Sequence, residues 1–144
     1  MSEQEPGIHT EITINAPVSR VWEILTAFDR YPEWNPTLEY IAGTASVGSP
    51  VRVRAGKGTP AVRDFDGTIT KVNPPRLLAS EGGDPTLFFG RHRWELSPEG
   101  AGTRLVNRET FTGEMVTAVL TENREAVKAE FAAFNTALKT AAEH

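Results

Sequence analysis

The chain has 144 residues, 39% of them hydrophobic and 24% charged, with a formal charge of -4 and no cysteine. That is the length of one domain, able to bury roughly two thirds of its unfolded surface and still leave interior room for a ligand; it is too apolar for a disordered chain and lacks a run of about 18 apolar residues that would span a bilayer. The acidic balance gives no attraction to nucleic-acid phosphates, and the missing thiols exclude a disulfide framework, a thiolate nucleophile and a cysteine zinc site.

Residues 1–7, Met1-Ser2-Glu3-Gln4-Glu5-Pro6-Gly7, read as a short acidic tail with no apolar targeting segment, so a cytoplasmic location is expected, with residues 8–144 forming one domain. From Ile8 to Asn15, apolar Ile8, Ile12 and Ile14 alternate with polar residues, the period of a half-buried strand. Pro17 suits the first turn of a helix, whose apolar face is Val18, Val21, Trp22, Leu25 and Phe28. The segment Asp29 to Pro36 is dense in proline and aromatics and reads as a loop with a short helical turn.

Strands follow at Leu38 to Ala42, Val51 to Ala55, Val62 to Val72, Leu77 to Glu81, Leu87 to Leu96 and Thr103 to Phe111. Turn chemistry separates them, including Gly82-Gly83-Asp84-Pro85 and Ser97-Pro98-Glu99-Gly100, so antiparallel hairpins are expected. A long amphipathic helix closes the chain, beginning near Gly113 and Glu114, with the carboxylate placed against the positive end of the dipole. Val116, Leu120, Val127, Phe131, Phe134, Leu138 and Ala142 form its apolar stripe, with Asn123 and Asn135 on or beside it. Thr117 and Thr121 weaken its early turns and invite a kink or break. One antiparallel sheet of six or seven strands, two short helices after the first strand and a long C-terminal helix make an α+β layer arrangement.

Two-residue parity places Phe88, Gly90, His92, Trp94 and Leu96 on the inner face of one strand and Leu105, Asn107, Glu109 and Phe111 on the inner face of the next. A carboxylate or imidazole on an apolar face needs a partner, since burying it alone costs several kcal/mol. A hairpin turning near Pro98 to Gly102 puts Trp94 and Glu109 at comparable distances from the turn, with His92 about one cross-strand diagonal away. A His92–Glu109 pair either orients the imidazole as a general acid or base or hydrogen-bonds a ligand. Arg52, Arg54 and Arg63 alternate with valines and read as solvent-facing. Gly56-Lys57-Gly58-Thr59 lacks phosphate-loop spacing, and no serine elbow, histidine metal motif or dinucleotide fingerprint is present.

Ile14-Asn15-Ala16-Pro17 with Val21-Trp22, the run Phe28 to Pro36, the Val72 to Pro75 turn, Gly90 to Leu96, Gly102 to Leu105, Glu109 to Gly113 and Phe131 to Lys139 together carry a likeness. The chain resembles the SRPBCC superfamily, the START-like, polyketide cyclase-like and Bet v-type proteins, over about Ile8 to Glu143. The resemblance implies a helix-grip fold, a curved antiparallel sheet wrapped around the C-terminal helix with an apolar cavity between them. It implies a hydrophobic small-molecule ligand, lipid- or polyketide-like. No cofactor, metal or nucleic-acid partner is expected, and the expected state is a monomer or homodimer. The alternative the resemblance raises is a cyclase, dehydratase or hydrolase. Carried onto this sequence, the cavity-facing positions include Trp34, His92, Trp94, Glu109, Phe111, Phe131 and Asn135; taken with the strand parity, His92 and Glu109 are the catalytic candidates, and Trp34, Asn35, Trp94, Asn107, Phe111, Phe131 and Asn135 the ligand-binding ones. A shared container does not fix a chemistry.

Overall fold

The computed structural model describes residues 6–144, so most of the expected tail lies outside the described residues. Among them, strands β1 (Gly7–Ile14), β2 (Leu38–Ala42), β3 (Pro50–Ala55), β4 (Arg63–Asn73), β5 (Leu77–Asp84), β6 (Phe88–Glu99) and β7 (Gly102–Thr112) form one antiparallel sheet. Its order is β1-β7-β6-β5-β4-β3-β2, so every neighbour after the first pairing is a hairpin partner. Helix α1 (Val18–Thr26) and a 3-10 helix (Phe28–Glu33) sit between β1 and β2, and α2 (Val116–Glu143) crosses the concave face. This is the curled half-barrel and gripped helix that the resemblance implied.

Several boundaries differ from the pattern reading, each for a local reason. Gly7, placed in the tail, pairs with Thr110 and belongs to β1. Gly82, Gly83 and Asp84 extend β5 instead of turning, because the turn comes later: Asp84 Oδ1 accepts the backbone N–H groups of Thr86 and Leu87 at 2.8 and 3.2 Å. Ser97, Pro98 and Glu99 likewise stay in β6, and the chain reverses at Gly100, whose φ of +61° suits a residue without Cβ. Pro17 is the cap before α1, its carbonyl accepting from Arg20 and Val21. Glu114 precedes α2 instead of entering its first turn, because Glu114 and Met115 donate their N–H groups to Thr86 and Leu87 of the β5–β6 turn at 2.9 and 2.8 Å. The helix then runs unbroken through Thr117 and Thr121, whose hydroxyl bonds back to Thr117 at 2.6 Å.

The core divides into two clusters. The larger joins Ile14, Val21, Leu25, Phe28, Tyr31, Val51, Val53, Ile69, Leu78, Trp94, Leu96, Leu105, Phe134 and Leu138. The smaller holds Ile8, Phe111, Val116 and Leu120, with Phe88, Val127 and Phe131 partly buried against it. Each fully buried aliphatic or aromatic side chain contributes about 1.5–3 kcal/mol, so the larger cluster dominates stability. Tyr31 satisfies its hydroxyl on the Leu25 carbonyl at 2.6 Å and lets the proline-rich segment anchor there.

Candidate functional site

Between the concave sheet and the first half of α2 lies a pocket of about 670 Å3. Tyr40, Val51, Val53 and Phe65 wall one side, Phe88 and Phe111 another, and Leu120, Val127, Phe131 and Phe134 descend from the helix. His92, Trp94, Asn107 and Glu109 line it from β6 and β7. Arg63 on β4 and Glu130 on α2, both among the lining residues, meet in a bidentate ion pair at 2.8 Å that links the sheet to the helix.

His92 and Glu109 are directly opposed, because the hairpin turns on two residues, Gly100 and Ala101, with Glu99 paired to Gly102. The longer turn expected from Pro98 to Gly102 shifted the register by two: Trp94 faces Asn107, not Glu109. His92 Nδ1 lies 3.4 Å from Glu109 Oε1. The ring is clamped on both faces, stacked on Trp94 at 3.8 Å and on Phe131 at 4.8 Å between centroids. Gly90 makes room for the acid, since a Cβ there would collide with the Glu109 carboxylate.

A hydrogen-bonded chain holds the remaining edge of the imidazole. Thr10 Oγ1 donates to the Asn107 carbonyl at 2.8 Å, and a backbone carbonyl only accepts. The Thr10 oxygen therefore accepts from Asn135 Nδ2 at 2.9 Å, which turns Asn135 Oδ1 toward Asn107 Nδ2, also at 2.9 Å. Asn107 Oδ1 is left to face His92 Nε2 at 2.6 Å, so Nε2 carries the hydrogen and Nδ1 the lone pair. Asn107 and Asn135 are 1% and 2% exposed, so a lost partner in this chain would leave an amide unsatisfied.

Burial moves the two titrating groups in opposite senses. Desolvation lowers the His92 pKa from 6.5 to about 4, against the raising effect of its Asn107 hydrogen bond. Desolvation also raises Glu109 from 4.5 to about 7. Between those values the pair holds one proton, and it rests on the carboxyl, facing the imidazole lone pair.

Trp94, Asn107, Phe111 and Phe131 all line the pocket. Asn135 lies one hydrogen bond behind it, through Asn107. Trp34 and Asn35 do not line it, contrary to their place in the ligand-binding set. Trp34 packs on Tyr31 at 4.7 Å and on Phe134 at 5.7 Å, within the larger core. Asn35 uses its Oδ1 to accept from the backbone of Thr37 and Leu38 at 3.1 and 3.0 Å, shaping the entry to β2. Sequence reasoning missed Thr10 and the valine wall of β3; the alternation that sent Arg52 and Arg54 outward had already pointed Val51 and Val53 inward. The arginines themselves pair across the strand with Asp66 and Asp64 at 3.0 and 2.8 Å.

Residues 6–143 match the model of the family described as polyketide cyclase/dehydrase and lipid transport. Among solved structures, DynU16, from the dynemicin biosynthetic locus, is similar with 23% identity and a TM-score of 0.73, over 95% of this chain and 47% of that one. The di-domain ARO/CYC StfQ from the steffimycin biosynthetic pathway is similar with 14% identity and a TM-score of 0.78, over 95% of this chain and 50% of that one. This chain thus spans about half the length of those two. Ara h 8.0201 is similar with 12% identity and a TM-score of 0.67, over 96% and 98% of the two chains. Likeness at these identities establishes the fold. No protein of curated function matches the sequence significantly. Among the described residues, no helix is long and apolar enough to cross a membrane.

Proposed function

This chain belongs to the polyketide cyclase/dehydrase and lipid-transport family, and we propose that it holds a hydrophobic small molecule, lipid- or polyketide-like, between the sheet and α2. The observation that carries this reading is the apolar pocket of about 670 Å3 with a polar end formed by His92, Asn107 and Glu109. At about 25 cal/mol per Å2, burying roughly 200 Å2 of ligand contributes about 5 kcal/mol before ordering costs, and the polar end then selects among ligands. Trp94, Phe111 and Phe131 supply walls; Asn135 holds Asn107 in place. The test is native mass spectrometry of the purified chain with titration of an environment-sensitive apolar dye. Saturable one-to-one dye uptake, reversed by a fatty acid or an aromatic polyketide, supports the reading; no uptake refutes it.

A second reading follows from the pair at 3.4 Å with oppositely shifted pKa values. The same pocket then performs an acid–base step of a cyclisation, dehydration or hydrolysis. Glu109, titrating at about 7, is the better matched acid or base at neutral pH, and His92 takes the supporting role. Turnover of a responsive substrate falls by roughly 10^2 to 10^4 in Glu109→Gln. Ligand binding with unchanged turnover in that variant removes the catalytic reading and leaves the binding one.

A further inference from the structure

The convex face of the sheet has a second cleft, whose lining shares Ser80, Glu81 and His92 with the pocket behind it. The parity that turns His92 and Glu109 inward turns Arg93 and Arg108 outward. Strand register aligns them in one cross-strand row: His9 on β1, Arg108 on β7, Arg93 on β6, Ala79 on β5 and Lys71 on β4. Ala79 is the small member among long side chains and becomes a floor. Around it Thr70, Lys71, Arg91, Arg93, Arg108 and Thr110 bound a cleft of about 420 Å3.

The charges there are not balanced. Lys71, Arg91, Arg93 and Arg108 stand against Glu81 and Glu95. Glu95 is committed to Arg108 at 2.7 Å and lies 3.8 Å from Arg93, while Glu81 is 4.0 Å from Arg91. Among the described residues, the lysines in ion pairs are Lys57 and Lys139, which leaves Lys71, and Lys128 on α2, without one. Arg93 Nε is buried and has no hydrogen-bond acceptor. Arg93 and Arg108 are also directly opposed across the strands, a like-charge pair that shares the single carboxylate of Glu95. All this occurs on a chain whose formal charge is -4, so the patch is not a by-product of a basic protein.

We propose that this cleft binds a phosphate group, borne by a small phosphorylated molecule or by a lipid headgroup, seated over Ala79 between Arg93 and Lys71. The guanidinium forks of Arg91 and Arg93 match the tetrahedral oxygens, Lys71 adds a point charge, and the Thr70 and Thr110 hydroxyls are at hand to donate. One row of cations on a net acidic surface is too narrow for the extended backbone contacts that nucleic acid needs.

The test is an amide chemical-shift titration of the intact chain with sodium pyrophosphate at constant ionic strength, beside sedimentation with phosphatidylcholine vesicles with and without phosphatidic acid. Saturable shifts confined to residues 70–71, 79, 91–93 and 108–110 are expected, with sodium chloride producing none. Lys71→Gln/Arg93→Gln should weaken binding roughly tenfold or more, whereas Arg52→Gln should leave it intact. Saturation by pyrophosphate identifies a soluble phosphate ligand, and sedimentation only with phosphatidic acid identifies a lipid headgroup. Neither response, or equal binding by the double variant, overturns the proposal.

Discussion

Toward the C-terminus of α2, Phe134, Leu138 and Ala142 join Val21, Leu25 and Tyr31 in the larger core, so α1 and the 3-10 helix occupy the space under the helix. Toward its N-terminus, Val127 and Phe131 are only partly buried and face Phe88 and Phe111 across the pocket. The same helix on the same sheet is therefore structural at one end and leaves room at the other. The difference is what lies between the layers. Where short helices intrude, apolar burial is complete; where none does, inward-facing His92 and Glu109 border an open volume. The boundary is the stack of Trp94, His92 and Phe131 together with Phe134, which belongs to the larger core and also lines the pocket.

The contrast breaks first at its filled end. Leu138→Ala should lose about 2–5 kcal/mol in denaturant unfolding, the cost of a cavity in a closed core, while Val127→Ala at the pocket loses less than about 1. Equal losses at both positions would mean that the pocket is packed in solution.

The next effect is pH dependence, about 3 kcal/mol from a shift of 2.5 units in each group. In Glu109→Gln the depressed His92 remains, so stability is full above pH 6.5 and is lost as pH falls through about 4. In His92→Gln the raised Glu109 remains, so stability is full below pH 4.5 and is lost as pH rises through about 7. In the parent chain the two slopes oppose between pH 4.5 and 6.5, and unfolding midpoints should change little there. Parallel slopes in the two variants would contradict the assignment.

Asn135→Ala should cost about 1–3 kcal/mol, because Asn107 Nδ2 loses its acceptor in a buried site, and nitrogen-15 shifts of His92 should report loss of the fixed tautomer. The smallest effect belongs to Arg63→Gln, which removes a half-exposed ion pair: less than about 1 kcal/mol in stability, with faster dye exchange because sheet and helix are no longer tied beside the pocket.

Much of this arrangement was legible in the residues. Alternation in Phe88 to Leu96 and Leu105 to Phe111 identified the inner faces, since a strand with one buried side must write its pattern at period two. The family resemblance joined those faces to the long helix. The hairpin register was misjudged because Pro98 and the residues around it carry turn chemistry yet continue the ladder, and two residues of turn length decide which side chain His92 meets. Trp34 and Asn35 lie outside the pocket lining for a different reason. An aromatic in a loop can face either of two compartments, and only the tertiary position of Tyr31 and Phe134 settles that Trp34 belongs to the filled one. Thr10 carried no signal of its own, being one of many polar residues on a strand, until Asn135 was brought over it.

The most direct test of a hollow first half beneath α2 is dye titration of Val127→Trp, in which an indole occupies the pocket from the helix side. The account predicts that this variant keeps the parent's thermal midpoint within a few degrees and loses saturable dye uptake. Undiminished uptake, or a variant that unfolds because no space exists for the larger ring, would contradict it.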